Sequence, residues 1–267
     1  MTSFDEYERE LWAGRAPAYE RGFMQLTAYT VKPLLDAAKV GGGTKVLDVG
    51  TGPGVVAGEA VRRGAEVTAV DADPGMAETA ARNVPGLDVR VAVLPGLPFA
   101  DETFDAVVGN FVINHVGDPA RALAELRRVL RPGGRLALTC WEMPGSGALS
   151  IVRDAVDQVG VPWPDDIPVS PFMEYGRRDA FERLVRESGF PGAVTEPVSW
   201  RHVTDPEEWW RTGALARVGS NGVIVSRQDE ATVARIKAAY DRIMAGYAVD
   251  GGRVSLPAHA LLTHATR

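Results

Sequence analysis

Between residues 41 and 141 the hydrophobic positions fall into short, nearly continuous runs separated by segments in which they recur at helical spacing. "KVLDVG" (45–50) reads as a buried strand, and "VVAGEAVRRG" (55–64) as a helix ended by Gly64. "AEVTAVDAD" (65–73) is a second strand, "PGMAETAARNV" (74–84) a helix and "DVRVAVL" (88–94) a third strand. "FDAVVGNFVI" (104–113) follows as the fourth. "DPARALAELRRVL" (118–130) is a helix with Asp118 as N-cap and Pro119 at its first position, stopped by "RPGG" before a fifth strand, "RLALTCW" (135–141). Apolar strands alternating with helices predict βαβ units, because a parallel sheet needs a helix to carry the chain back and cover it on both faces. The fold class is therefore α/β, doubly wound.

The flanks are less regular. Residues 5–40 have helical spacing with Pro33 near a helix start, so 1–40 is predicted as an N-terminal helical region, closed by "VGGGT" (40–44). After Trp141, residues 142–178 are rich in Pro and Gly. "DAFERLVRESGF" (179–190) returns to a helix stopped at Gly189, "GAVTEPVSWRHV" resembles a sixth strand, two amphipathic helices fall near 205–219 and 227–246, and "GRVSLPAHALLTHAT" is a last strand. No repeat or low-complexity tract divides the chain. It reads as a single domain, with a core over 41–141 and helical additions plus the remaining strands over 142–267.

Composition narrows the function classes. A net charge of −6 argues against nucleic acid as partner, since phosphate contacts need clustered Lys and Arg. Cys140 is the single cysteine, which excludes an internal disulfide and a thiolate metal cluster. The acidic start "MTSFDEYERE" has no apolar signal core, and no apolar stretch is long enough to span a bilayer. A cytoplasmic protein without membrane contact is expected.

"VLDVGTGPG" (46–54) is the candidate site: an apolar strand, one carboxylate, then glycines at alternate positions before a helix. Bare backbone at a helix N-terminus lets a nucleotide approach closely. A dinucleotide fingerprint wants glycines at first, third and sixth positions; Gly50 and Gly52 satisfy two, but the sixth is Val55, and the extra glycine is Gly54. Asp48, two residues earlier, suits a ligand ammonium and would repel a pyrophosphate.

The stretch resembles motif I of the class I S-adenosylmethionine (SAM)-dependent methyltransferases. The likeness continues in order through "VTAVDAD", "FDAVVGNFVINHV" and "VLRPGGRLAL"; more narrowly, the chain resembles small-molecule methyltransferases of bacterial quinone and secondary-metabolite pathways. It implies a mostly parallel, seven-stranded Rossmann-like sheet with helical cap insertions. It also implies SAM as cofactor, S-adenosylhomocysteine as product, and an N-terminal helical lid. The donor would lie on Asp48, Gly50, Thr51, Gly52 and Gly54, with Asp71 on the ribose hydroxyls and Ala72, Asp73 and Met76 near the adenine. The backbone of Asn110 would face the methionine moiety, and Tyr19 its carboxylate. Where the family often has Asp-Ala, this chain has Val93 and Leu94, so adenine recognition there falls to backbone groups and apolar contact.

The acceptor side carries fewer signals. His115 in "INHV", beside Asn114, is the candidate general base. Trp141, Phe172, Trp209 and Trp210, with Trp163, suggest an aromatic wall for a planar small-molecule acceptor methylated on O, N or C. The "EEWW" helix could alternatively pack on a second copy, giving a homodimer. Asp165 and Asp166 lack companions for a metal site, and no Gly-x-Ser-x-Gly elbow marks a hydrolase. A methyltransferase leads two alternatives, an NAD-type oxidoreductase and a non-catalytic SAM-binding module.

Overall fold

A computed structural model describes residues 3–267. Four helices come first: α1 (Ser3–Trp12), α2 (Ala16–Arg21), α3 (Phe23–Thr27) and α4 (Val31–Ala37). In α4, Val31, Leu34 and Leu35 recur at helical spacing on one buried side. The alternating core follows as β1 (Lys45–Val49), α5 (Val55–Arg62), β2 (Glu66–Asp71), α6 (Pro74–Asn83), β3 (Asp88–Val91), β4 (Phe104–Asn110), α7 (Pro119–Val129) and β5 (Leu130–Trp141). The remainder comprises α8 (Ile151–Val159), α9 (Phe172–Tyr175), α10 (Arg178–Glu187), β6 (Val194–Thr204), α11 (Pro206–Trp209), α12 (Gly219–Ser226), α13 (Glu230–Ala245), β7 (Ala248–Val249) and β8 (Arg253–Thr266).

Seven strands lie in the order β3-β2-β1-β4-β5-β8-β6, with the two-residue β7 paired to β8 off that path. The first five are mutually parallel, and β8 is antiparallel to both neighbours. The doubly wound α/β expectation holds. Side chains alternate across the sheet as a strand period of two requires. Val107, Leu136 and Leu138 join one core with Leu123 and Leu126 of α7 and Phe181 of α10. Ala106, Val108 and Ala137 join a second core with Leu34, Leu35, Val56 and Ala60. A third apolar cluster unites Trp209, Trp210, Ile236 and Tyr240 with Val254, Leu256 and Ala258 of β8.

Caps agree with the sequence. Asp118 accepts a hydrogen bond from the Arg121 amide at 3.1 Å, and Asp73 from the Met76 amide at 2.8 Å, each with proline opening the helix. Pro197 falls on β6, the sheet edge, where strand proline is tolerated.

Three segments differ from the expected pattern. "RPGG" does not separate α7 from the fifth strand: β5 already begins at Leu130, and the register slips between Leu130 and Arg135 as a bulge. The third strand ends at Val91, because Val93 turns back to bridge Gly96. The helix expected over 205–219 is α11 followed by a π-helical turn, Trp210–Leu215. Adjacent residues of a regular helix point about 100° apart, whereas Trp209 and Trp210 are both buried here, 2% and 5% exposed.

The parallel strands deliver Val49, Asp71, Val91 and Asn110 to one edge of the sheet. The chain moves outward from β1 through β2 to β3, then returns to β4 on the other side of β1. That reversal opens a crevice at the carboxyl ends, the place where such sheets bind ligands. Among the described residues, no helix is long and apolar enough to cross a membrane.

Candidate functional site

The glycine turn follows β1 and enters α5, and its glycines have different tasks. A Cβ on Gly50 would lie 2.4 Å from Val112 Cγ2, so the turn can touch the segment after β4 only without a side chain. Gly54, at φ +88°, is the left-handed residue that starts α5, and a Cβ there would press on Ala80 of α6 at 3.2 Å. Gly52 opens on a cavity of about 540 Å³, and its amide donates to Asp71 Oδ2 at 2.8 Å.

Asp71, Ala72, Asp73, Met76, Val93 and Leu94 line this cavity with Gly50, Gly52, Asn110 and Tyr19. Asp71 Oδ1 accepts from the Asp73 amide at 3.0 Å. Burial pushes its carboxyl above the usual range, against the pull of the Asp73 and Gly52 amides. A carboxylate has about four acceptor positions, so Asp71 keeps capacity for a hydroxyl donor beside these amides. Both ends of the Asn110 side chain are engaged: Oδ1 accepts from Thr30 and Thr139 hydroxyls at 2.7 Å each, and Nδ2 donates to the Thr27 carbonyl at 3.1 Å. It fastens the N-terminal helices to β4 and β5 at the cavity wall. The Tyr19 hydroxyl shares a 3.1 Å bond with Thr27 Oγ1.

Three residues expected on the donor are placed elsewhere. Asp48 is 1% exposed beneath the turn and does not line the cavity. Its Oδ2 accepts from Thr51 Oγ1 at 2.7 Å and from the Ala57 amide at 3.1 Å, and its Oδ1 has no partner. Burial pushes this carboxyl up to about 7. Thr51 is spent on that bond and Gly54 on packing against α6. All three shape the turn from below.

The other half of the cavity is walled by Trp12, Phe23, Phe111, Trp141, Leu149 and Trp163. Phe111 and Trp141 stack with ring centroids 4.1 Å apart. Its polar groups come from Asp5, Glu8 and Arg9 on α1, from Asn114 and His115 after β4, and from Ser220 and Asn221 on α12. His115 Nδ1 lies 2.7 Å from Glu8 Oε2.

Of the aromatic residues expected to meet the acceptor, the structure brings Trp141 and Trp163 to the cavity and leaves Phe172, Trp209 and Trp210 out. Phe172 packs edge-on to Phe181 in the core. Trp209 stacks on the outer side of Phe23, and Trp210 packs against Tyr240. Both tryptophans are consumed inside the protomer, so the "EEWW" segment offers neither to a second copy. Asp166 pairs with Arg227 at 2.7 Å, and no cluster of three or more metal-ligating side chains occurs among the described residues. Sequence reasoning missed Glu8, Trp12 and Phe111. Their only signal was the amphipathic pattern of α1 and the apolar continuation of β4.

Comparison with known proteins bears on this arrangement. Residues 47–138, which hold the turn, Asp71, Asn110 and His115, match the family described as "Methyltransferase domain". Over that stretch the chain carries a methyltransferase domain. A demethylmenaquinone methyltransferase of Thermobifida fusca is 37% identical over 165 residues, covering 60% of this chain and 65% of that protein. Across the curated relatives it matches, the chain spans about half of their length. The fold of the methyltransferase domain and its additions also recurs in solved structures. A Bacillus halodurans protein described as a methyltransferase has a TM-score of 0.56 at 22% identity, covering 88% of this chain and 97% of its own. An Anabaena variabilis protein, described as a methyltransferase from an antibiotic biosynthesis pathway, has a TM-score of 0.59 at 15% identity over 90% and 97% of the two chains.

Proposed function

We propose that this protein is a SAM-dependent methyltransferase that acts on a small, planar, aromatic acceptor in a soluble, cytoplasmic setting of secondary metabolism. The reading rests on one observation. A single cavity runs from the glycine turn and Asp71 to His115 and the aromatic wall, so donor and acceptor sites are continuous.

The residues present fit the donor. Asp71 has acceptor capacity for a ribose hydroxyl, Gly50 and Gly52 bring bare backbone, and Met76, Ala92, Val93 and Leu94 form an apolar slot for a flat base. Tyr19 and the Asn110 backbone flank the methionine end. Bound there, SAM supplies a methyl group already activated by its sulfonium for attack by an O, N or C nucleophile. The chain's own contribution is alignment and exclusion of water: α1 and α12 cover the acceptor half, and Trp141 with Phe111 presents a flat face. His115 is the group in reach to take a proton. An NAD-type oxidoreductase is disfavoured because the third glycine is buried against α6 and offers no backbone to a pyrophosphate.

Transfer of radiolabelled methyl from SAM to a panel of phenols, quinols and indoles tests the reading. Label in one acceptor class, lost in His115→Asn or reduced by about tenfold or more, is the expected result. A protein that binds SAM yet labels nothing would speak for the non-catalytic alternative.

A further inference from the structure

Glu8 is 107 residues from His115 in sequence, on a different element, yet its Oε2 meets His115 Nδ1 at 2.7 Å. The same oxygen accepts from Trp12 Nε1 at 3.0 Å, and the Trp12 ring stands edge-on to the imidazole at 5.2 Å and 90°. Glu8 is 8% exposed, whereas the His115 side chain is 34% exposed. A carboxylate can only accept, so Nδ1 carries the hydrogen, and in the neutral ring the lone pair is left at Nε2. No described protein atom is hydrogen-bonded to Nε2.

The placement of Glu8 is held from both sides. Asp5 Oδ1, one turn earlier on α1, accepts from the Gly117 amide at 2.7 Å. The Tyr7 hydroxyl donates to Ser220 Oγ on α12 at 3.1 Å. Next to His115, Asn114 lines the cavity, while its Oδ1 is buried without a hydrogen-bond partner among the described residues.

We propose that Glu8 is the positioning residue that fixes His115 as a proton acceptor, and that the methyl acceptor is accordingly a hydroxyarene. This rests on the methyltransferase reading above. An amine or thioether already carries a lone pair for attack, but an aromatic hydroxyl becomes a strong nucleophile when its proton leaves. In the step assigned here the O–H bond breaks, an N–H bond forms at Nε2, and the electron pair stays on oxygen. The imidazolium faces the ionised Glu8, which keeps its own charge, and later gives the proton to solvent. The flat face of Trp141 suits the ring.

The test needs no turnover. With only four histidines in the chain, the ¹⁵N spectrum of the imidazoles is simple enough to follow His115 directly. The expected result is a dominant Nδ1–H form in the wild type, lost in Glu8→Leu and retained in Trp12→Phe, which disturbs the same packing but leaves the carboxylate. An Nδ1–H form that survives Glu8→Leu, or that Trp12→Phe removes equally, overturns the positioning role. For the acceptor class, 4-nitrophenol is added to protein saturated with S-adenosylhomocysteine at a pH below the phenol's own pKa. A visible phenolate band that grows on binding, and falls by about tenfold in Glu8→Leu, supports a hydroxyarene; no band in the wild type overturns that assignment. S-adenosylhomocysteine binding, measured alongside, separates the failures. Loss of that binding in the wild type sinks the methyltransferase reading itself, while intact binding with an unmoved tautomer sinks only the role of Glu8.

Discussion

Asp48 lies under the glycine turn with one oxygen bonded to Thr51 and Ala57 and the other unpartnered, and its folded pKa is about 7. A carboxyl raised in the folded chain stabilises it at acid pH; that contribution is full below the unfolded value near ~4 and is lost as pH rises through about 7. Asp48→Asn, which keeps an acceptor for Thr51, therefore weakens the decline of unfolding free energy across that window; an unchanged decline in denaturant titrations would contradict the assignment. His202 behaves oppositely. Burial first, then Arg253, lowers it to about 4, and neither ring nitrogen has a partner. Its contribution is full above its unfolded value of 6.5 and is lost as pH falls towards 4. His202→Phe should reduce the acid loss between neutrality and pH 5 by on the order of 1 kcal/mol, measured the same way. At this scale the sequence pointed to Asp71, Gly50, Gly52 and His115, which the structure places on one cavity lining; strand ends and turn glycines have a one-dimensional signature. It misassigned Asp48, since an acidic residue beside a turn looks alike whether it faces a ligand or the underside of the turn. It assigned Phe172, Trp209 and Trp210 to the acceptor because aromatic content does not distinguish a pocket wall from a core. Glu8 was invisible, as its partner is far along the chain.

Among the elements, the turn between β1 and α5 depends on contact with the segment after β4. Gly50→Ala puts a methyl 2.4 Å from Val112 Cγ2 at a backbone φ of +65°. A loss of about 2–4 kcal/mol is expected, of which the left-handed backbone accounts for roughly 1–2. Adding Val112→Ala removes the Cγ2 contact but leaves Val112 Cβ 2.7 Å away, so it should recover only part of the steric loss and none of the backbone part; full recovery or none in thermal unfolding would refute this division. In α7, Asp118→Ala should cost about 1 kcal/mol through loss of the Arg121 amide bond, readable as a shift in the denaturation midpoint. The caps and strand periods of residues 45–141 were legible because each is local. The β5 bulge and the π-helical turn at Trp210–Leu215 were not. Both answer to packing: one to registering two strands, the other to burying two adjacent tryptophans against Tyr240 and Phe23.

For the molecule as a whole, the sheet reversal at β1 and β4 opens the crevice, and the N-terminal helices with α12 roof it, so one cavity meets both the glycine turn and His115. The central claim is that Asp71 and the turn hold a SAM-type ligand. Calorimetric titration of the full chain with SAM, S-adenosylhomocysteine and NAD, repeated on Asp71→Ala, tests it most directly. Binding of the two sulfur ligands with no NAD binding, weakened by roughly tenfold or more in Asp71→Ala, is the predicted result. Binding of NAD in their place, or sulfur-ligand affinity indifferent to Asp71, would contradict the account.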